Sequence, residues 1–244
     1  MGKCVTILLL VISILLIPCA AAAQSVSLAI KGGIPISEAF ETGKAATLTA
    51  PATQISCTSR AKPFTFGPAV EVSLPLGLAL EFDALYKRLN YNFTMSRLIP
   101  VNAPGLSSVL LIEEEHNVIS RWDLPLMLKY SLGSIAAYRP YFSAGLNTNY
   151  IVNTTESGIG IARFGGSPVT LPPPITDHNA PSELRYRSAE GVVVAGGLGF
   201  RYHRVRLAPE LGYTRWAHEN FQGAVPGTFR SELNQAEVLF ALGW

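Results

Sequence analysis

From about residue 25 onward, apolar and polar positions alternate with a period of two, in segments of about ten residues. The clearest segment runs from Leu78 to Lys87, where the even positions are Leu, Leu, Phe, Ala and Tyr and the odd positions are Ala, Glu, Asp, Leu and Lys. Successive side chains of a strand point to opposite faces, so this pattern predicts a strand with one apolar and one mostly polar face. Seven further segments follow the same rule, at residues 26–31, 68–74, 121–130, 142–150, 192–201, 205–213 and 236–244.

The connections between these eight predicted strands alternate in length. The short connections are residues 75–77, 132–137 and 202–204, and the long ones, rich in Gly, Pro, Ser and Thr, are roughly 37–63, 95–115, 156–187 and 217–231. Outer-membrane barrels sort their loops in this way. We therefore predict an all-β fold, an eight-stranded antiparallel up-and-down transmembrane β-barrel with four long outward loops and three short periplasmic turns. A hairpin within residues 45–60 or 160–175 would make ten strands, and that alternative stays open.

The distribution of charge predicts which face meets lipid. The apolar faces carry no charge in the strand middles, and a lipid-embedded barrel needs such an exterior. The opposite faces carry six cations and six anions: Lys31, Glu71, Glu81, Asp83, Lys87, Arg121, Asp123, Lys129, Arg201, Arg206, Glu210 and Glu237. Eight strands enclose a lumen that side chains fill, and unpaired buried charge is costly. We expect these twelve charges to pair inside a plugged lumen.

The N-terminus has the features of a secretory signal. Lys3 precedes an apolar run from Val5 to Ile17, and Ala21 to Ala23 provide a small-residue cleavage pattern before Gln24. Residues 1–23 are therefore predicted to be a cleaved signal peptide, and residues 24–244 the barrel. Cys57 is then the one remaining cysteine, and we interpret it as a spectator loop thiol.

Composition narrows the class of protein further. Of the 244 residues 15% are charged, below the ~25% of ordinary soluble domains, and the net charge is +2. A nucleic-acid partner is not expected, because such proteins carry a clustered basic surplus.

Several segments resemble the bacterial outer-membrane β-barrel domain family of porin-like proteins, which includes small OmpA- and OmpX-like barrels. They are VSLAIKGGIPIS, FGPAVEVSLPLGLALEFDALYKRLNY, WDLPLMLKYSL with RPYFSAG, and GGLGFRYHRVRLAPELGYTRW. The closing NQAEVLFALGW resembles the terminal strand that the barrel-assembly machinery recognises, with Phe240 and Trp244 as its aromatic positions. The resemblance implies a Gram-negative outer membrane, with lipid and lipopolysaccharide as neighbours.

Candidate chemistry is sparse. Some small barrels modify lipid A with a His beside Ser or Asp, but none of His116, His178, His203 and His218 lies in a His-x-Ser triplet, and His218 is the best candidate by position. Glu113 to Glu115 with His116 favour a solvated charge run over a cation site, because neighbouring strand residues point to alternate faces. We predict no catalytic, cofactor or metal site, and no enzymatic activity.

The remaining function is a structural scaffold or a surface binding platform that acts through the outward loops. The loop at 156–187 is the first choice because it combines charge with proline-restricted backbone; its distinctive residues are Arg163, Phe164, Pro172 to Pro174, Asp177, His178 and Arg185. A small channel for passive diffusion and, further off, a lipid A-modifying enzyme are the alternatives.

Overall fold

The computed structural model describes residues 25–47, 53–59, 64–103, 106–133, 138–164, 167–170, 175–177, 181–203, 205–223 and 228–244. The predicted signal peptide lies outside these residues. The strands are β1 (Ser25–Pro35), β2 (Phe40–Thr42), β3 (Lys44–Thr47), β4 (Thr53–Ser59), β5 (Thr65–Ser73), β6 (Leu78–Asp83), β7 (Leu85–Ala103), β8 (Leu106–Ser131), β9 (Tyr138–Phe164), β10 (Ser167–Thr170), β11 (Ile175–Asp177), β12 (Ser188–Tyr202), β13 (Val205–Trp216), β14 (Phe229–Ser231) and β15 (Asn234–Gly243). A short 3-10 turn at Pro75–Gly77 joins β5 to β6.

Eight positions form the antiparallel ring. Their order is β1, β5, β6 with β7, β8, β9, β12, β13 and β15, and the pairing of β15 with β1 from Ala29 opposite Gly243 to Pro35 opposite Glu237 completes it. β6 and β7 occupy one position, because both pair with β5 and with β8. The predicted eight-stranded up-and-down topology is confirmed.

The hairpins that the sequence left open do form, but outside the ring. β3 and β4 pair with each other, and β4 pairs with the distal part of β7, from Ser59 opposite Tyr91 to Thr53 opposite Arg97. β10 and β11 pair with the distal part of β9 in the same way. The strand count in the barrel therefore stays at eight.

The long connections differ from irregular loops. β7, β8 and β9 are 19, 26 and 27 residues long, and the predicted loop at 95–115 is mostly two paired strands, with Ala103 opposite Leu106. Strict alternation is absent there because a strand outside the membrane needs no continuous apolar face. We call the six-stranded extension of β10, β9, β8, β7, β4 and β3 the outward sheet.

The two faces of the ring have opposite chemistry. Val26, Phe142 and Leu146 are 63%, 62% and 66% exposed on the outside, whereas Lys31 and Asp123 are 2% and 0% exposed in the lumen. Trp122 and Tyr130 bracket the apolar part of β8; they are eight residues apart, about 27 Å along the strand. That length suits a tilted strand crossing an apolar band about 25 Å tall.

Candidate functional site

The centre of the lumen is organised around one buried lysine. The Lys31 Nζ on β1 forms an ion pair with Glu81, and lies 2.8 Å from Asp83 Oδ2 and 3.3 Å from Glu210 Oε1. All four side chains are nearly inaccessible to solvent. Three carboxylates thus share one ammonium group, which ties β1 to β6 and to β13 across the barrel.

A second group lies toward the short turns. Lys129 Nζ is 2.6 Å from Glu81 Oε2 and 2.8 Å from Glu71 Oε2. Glu71 also accepts a hydrogen bond of 2.6 Å from Arg206 Nη1. Glu81 therefore joins this group to Lys31, so that one connected set of ion pairs crosses the lumen.

A third group lies toward the outward end. Lys87 Nζ is 2.9 Å from Asp123 Oδ2 and 2.7 Å from Glu237 Oε2. Arg121 Nε is 2.8 Å from Asp123 Oδ1, and Arg121 Nη2 donates to Gln235 Oε1 at 3.1 Å. The side chains of Lys87, Arg121 and Asp123 are almost completely buried.

Eleven of the twelve predicted lumen charges therefore take part in ion pairs. Arg201 is different: it is exposed, and no acidic side chain of the described residues lies within ion-pair distance of it. Tyr141 also belongs to the network, although nothing in the alternation pattern predicts it. Its hydroxyl donates to Glu210 at 2.9 Å, and Lys129 Nζ lies 3.9 Å from the centre of its ring.

An apolar cap closes the outward mouth above these charges. Its buried residues are Phe40, Cys57, Leu89, Tyr91, Ile119, Ile151, Phe221 and Phe229. The ring centres of Tyr91 and Phe229 are 4.4 Å apart, and that of Phe40 lies 5.1 Å from Phe229. Sequence reasoning missed the cap, because Phe40, Phe221 and Phe229 are isolated aromatics in predicted loops and follow no strand period.

Two sets of polar contacts hold the loop aromatics over the mouth. β2 pairs with β14, so Phe40 and Phe229 sit on one small two-stranded sheet. The side-chain amides of Asn149 and Asn220 exchange two hydrogen bonds of 3.1 Å, which fasten the segment before Phe221 to β9. Asn149 is 0% exposed, so these bonds are shielded from water.

Cys57 lies in the cap. The sequence interpretation made it a loop thiol, and that position is wrong: it is on β4 and 2% exposed. Burial, with a smaller contribution from Glu183, raises the pKa of the Cys57 thiol to about 12. A thiol with so high a pKa is a poor nucleophile at neutral pH.

The inner side of the outward sheet carries an acidic group. Glu115 on β8 lies near Glu156, Glu183 and Glu113, and burial followed by these like charges raises the pKa of Glu115 to about 7. Glu114 points to the other face and is exposed. Within the described ranges, no three His, Cys, Asp or Glu side chains are grouped so as to hold a metal ion.

The histidines that we considered for lipid chemistry have ordinary partners. His218 Nε2 donates to the Ser188 carbonyl at 3.0 Å, and its ring packs against Tyr186 with the centres 5.0 Å apart. His116 Nδ1 contacts the Asn92 side-chain amide. His203 lies in the turn between β12 and β13, and His178 lies outside the described residues.

Of the predicted assembly residues, Phe240 is on β15 and Trp244 directly follows its last residue, Gly243. Phe240 and Trp244 are 60% and 62% exposed, and the Trp244 N–H donates to the Leu28 carbonyl at 3.1 Å. Phe240 is on the apolar exterior, and Trp244 lies at the short-turn end of the barrel. Recognition by the assembly machinery and contact with lipopolysaccharide stay predictions.

The outer face of the outward sheet carries an apolar strip that the sequence did not reveal. Cross-strand pairs place Leu98 opposite Leu110, Ser96 and Ile161 on either side of Ile112, and Ile159 opposite Glu114. Leu98 and Ile159 are 43% and 46% exposed. We call Leu98, Leu110, Ile112, Ile159 and Ile161 the apolar strip.

Of the residues singled out in the 156–187 loop, Arg163 and Arg185 are exposed, and the side chains of Phe164, Pro172 to Pro174, Asp177 and His178 lie outside those described.

A comparison with solved structures finds proteins of low similarity to this chain. Neisserial surface protein A is 14% identical with a TM-score of 0.38, covering 91% of this chain and 96% of its own. The Ail attachment invasion locus protein of Yersinia pestis, solved with a heparin analogue, is 9% identical with a TM-score of 0.34, covering 91% and 100%. No curated protein matches the chain significantly.

No helix among the described residues is long and apolar enough to cross a membrane.

The family comparison covers most of the sequence. The outer membrane protein beta-barrel domain matches residues 22–215. With its lipid-facing exterior, its ion-paired lumen and this match, the chain belongs to the outer membrane protein β-barrel domain family.

Proposed function

We propose that this outer-membrane barrel does not conduct solutes, and that it serves as a scaffold presenting the outward sheet as a binding platform. The observation that carries the proposal is the continuity of β7, β8 and β9, which run from the membrane band into the outward sheet and stay paired on both sides of one register shift between Ser120 and Arg121. A surface built on such strands is held rigidly by the barrel beneath it.

The interior supports the non-conducting half of the proposal. A solute crossing from the outward side would first have to displace the cap around Phe40, Tyr91 and Phe229. It would then meet the ion pairs of Lys87 and, deeper, of Lys31. Both barriers would have to open together, and each opening would expose apolar surface or separate buried charges.

The apolar strip supports the binding half. It lies beyond a polar belt on the same face, which includes Arg88, Asn92 and His116, so it is separated from the lipid-facing band. Contiguous exposed apolar surface rimmed by polar residues is typical of interaction sites. The flanking Glu114 and Arg163 supply charges that would orient a partner.

The conduction test uses the purified full chain in planar bilayers. We expect no steady single-channel conductance under an applied potential. Large, steady conductance would contradict the proposal and favour the small-channel alternative.

The binding test compares cells that display two variants with cells that display the natural chain. In one variant Leu98, Ile112 and Ile159 become Ser; in the matched control Thr58, Asn92 and Thr94 on the same face become Ala. Adhesion is measured on surfaces coated with albumin, fibronectin, collagen or lipopolysaccharide. We expect saturable adhesion to at least one surface, lost about tenfold in the strip variant and kept in the control. Equal adhesion by all three, or none above cells lacking the protein, would contradict the proposal.

The loop that the sequence favoured needs its own comparison. Replacing residues 160–180 by a short Gly-Ser linker removes β10 and β11 but keeps Leu98, Leu110, Ile112 and Ile159. Adhesion that survives this replacement but not the Ser substitutions assigns binding to the strip. Adhesion lost only on the replacement assigns it to the loop.

A further inference from the structure

A cavity opens at the short-turn end of the barrel, beneath the ion pairs. It has a volume of about 520 Å³, within the range of small-molecule sites. β1 begins and β15 ends at its rim, where Ser25 and Trp244 contribute to the lining. Short turns mark the periplasmic side of such barrels, so the cavity faces the periplasm.

The lining is strongly basic. Five cationic side chains border the cavity, and the acidic side chains that border it are Glu71 and Glu81. Both anions are already shared: Glu81 binds Lys31 and Lys129, and Glu71 binds Lys129 and Arg206. Arg139 and Arg201 have no acidic partner among the described residues.

Three arginines converge on one wall of the cavity. Arg201 and Arg206 are direct cross-strand partners on β12 and β13, and Arg139 on β9 is the partner of Gly199. Gly199 lies between them: a Cβ built there would be 3.5 Å from Arg206 Nε and 3.7 Å from Arg139 Cβ. Because Gly199 has no side chain, the space beside it is free for the side chains of Arg139 and Arg206.

The wall carries an excess of positive charge that a bound anion would offset. Like charges directly opposite each other in a sheet destabilise the pairing, and Glu71 compensates Arg206 but leaves the other two uncompensated. Guanidinium groups bind phosphate with two parallel hydrogen bonds, and several of them on one wall suit a multiply charged group.

We propose that the periplasmic cavity binds a phosphate monoester or diester, with Arg139 and Arg201 as its principal ligands and Arg206, held by Glu71, beside them. The phosphate belongs either to a soluble periplasmic solute or to the headgroup of a phospholipid in the inner leaflet. The small apolar walls at Ala29, Ala208 and Ala241 accept the carbon skeleton that carries the phosphate.

The experiment uses the full chain folded in dodecyl maltoside at low ionic strength. In one arm, titration calorimetry measures binding of sn-glycerol 3-phosphate; in the other, native mass spectrometry measures retention of phosphatidylglycerol. The variants are Arg139→Gln with Arg201→Gln, Arg201→Lys, and the control Arg215→Gln, whose exposed side chain is at the opposite end of β13. Gel mobility with and without boiling verifies that each variant is folded.

We expect saturable binding in at least one arm, at least tenfold weaker in the double Gln variant, partly kept in Arg201→Lys and unchanged in Arg215→Gln. Binding in the calorimetric arm identifies a soluble phosphate, and binding confined to the lipid arm identifies a headgroup; either supports the site. No binding in both arms, or equal weakening by Arg215→Gln, would overturn the proposal.

Discussion

The membrane-embedded and outward parts of the same strands follow opposite rules. Within the band, Phe82 and Tyr86 point outward while Asp83 and Lys87 point into the lumen. Directly after Lys87, Arg88 points outward, and Leu89 and Tyr91 point inward. Even-numbered side chains point outward and odd-numbered ones inward in both parts. The outward positions change from apolar to polar, and the inward positions change from charged to apolar; we call this change the exchange.

The exchange marks the level at which the surroundings of the barrel change from lipid to water. Lipid outside requires apolar side chains there and leaves the interior to paired charges. Water outside restores the usual arrangement, with an apolar cluster inside and polar residues at the surface. The exchange falls between Tyr86 and Arg88 on β7, and at the same level on β8, where the register with β9 shifts between Ser120 and Arg121.

The largest effect is expected from removing the central cation of the lumen. Lys31→Met leaves the Glu81, Asp83 and Glu210 carboxylates without their shared partner, and breaking a buried ion pair costs about 3–5 kcal/mol. Urea unfolding in lipid vesicles measures the loss. The matched change Arg201→Met, on the same lumen face but without a described acidic partner, should cost less than about 0.5 kcal/mol. Equal losses would show that the lumen charges do not act as a network.

A charge on the exterior should distinguish the two regions next. Leu126→Arg places a cation near the middle of the apolar band and should lower the free energy of unfolding by about 2–4 kcal/mol. His116→Arg lies on the same face of β8 beyond the band and should change it by less than about 0.5 kcal/mol. Similar costs in the same vesicles would mean that both positions have the same surroundings.

The outward region should show a pH dependence of its own. The folded-state pKa of Glu115 is about 7 against an ordinary 4.5, so the folded chain keeps a proton that the unfolded chain releases between these values. Stability of the outward sheet should therefore fall as the pH rises from 4.5 to 7, and level off above 7. Hydrogen-exchange protection of the distal β7 and β8 amides, corrected for intrinsic rates, measures it. Glu115→Gln should flatten the profile and Glu114→Gln, on the exposed face, should not.

The smallest expected effect is on the reaction rate of the Cys57 thiol in the cap. Cys57 should react with a maleimide far more slowly in the folded protein than in urea, because it is buried and its pKa is about 12. Phe229→Ala, which opens the cap beside it, should speed the reaction while the barrel stays folded. Rapid labelling of the unaltered folded chain would contradict the packing of the cap.

The sequence predicts the embedded region well because lipid imposes a strict rule at every second residue. Alternation alone predicts the strands at Leu78 to Lys87 and Arg121 to Tyr130. It also assigns to the lumen the eleven charged side chains that form ion pairs there in the structure. The outward region obeys no such rule. Leu111 to Val118 pair along their whole length yet show no clean alternation, and Phe40 meets Phe229 across 189 residues of chain. Such contacts depend on loop closure, which leaves no local periodicity.

The position of the exchange is the central claim, and site-directed spin labels test it most directly. Labels at Leu80, Phe82, Tyr86, Arg88, Asn92 and Ser96, all on the exterior, are compared in lipid nanodiscs for collision with oxygen and with a water-soluble nickel chelate. We expect oxygen to dominate from Leu80 to Tyr86 and the chelate from Arg88 onward. Chelate-dominated relaxation at Phe82, or oxygen-dominated relaxation at Asn92 and Ser96, would contradict the account.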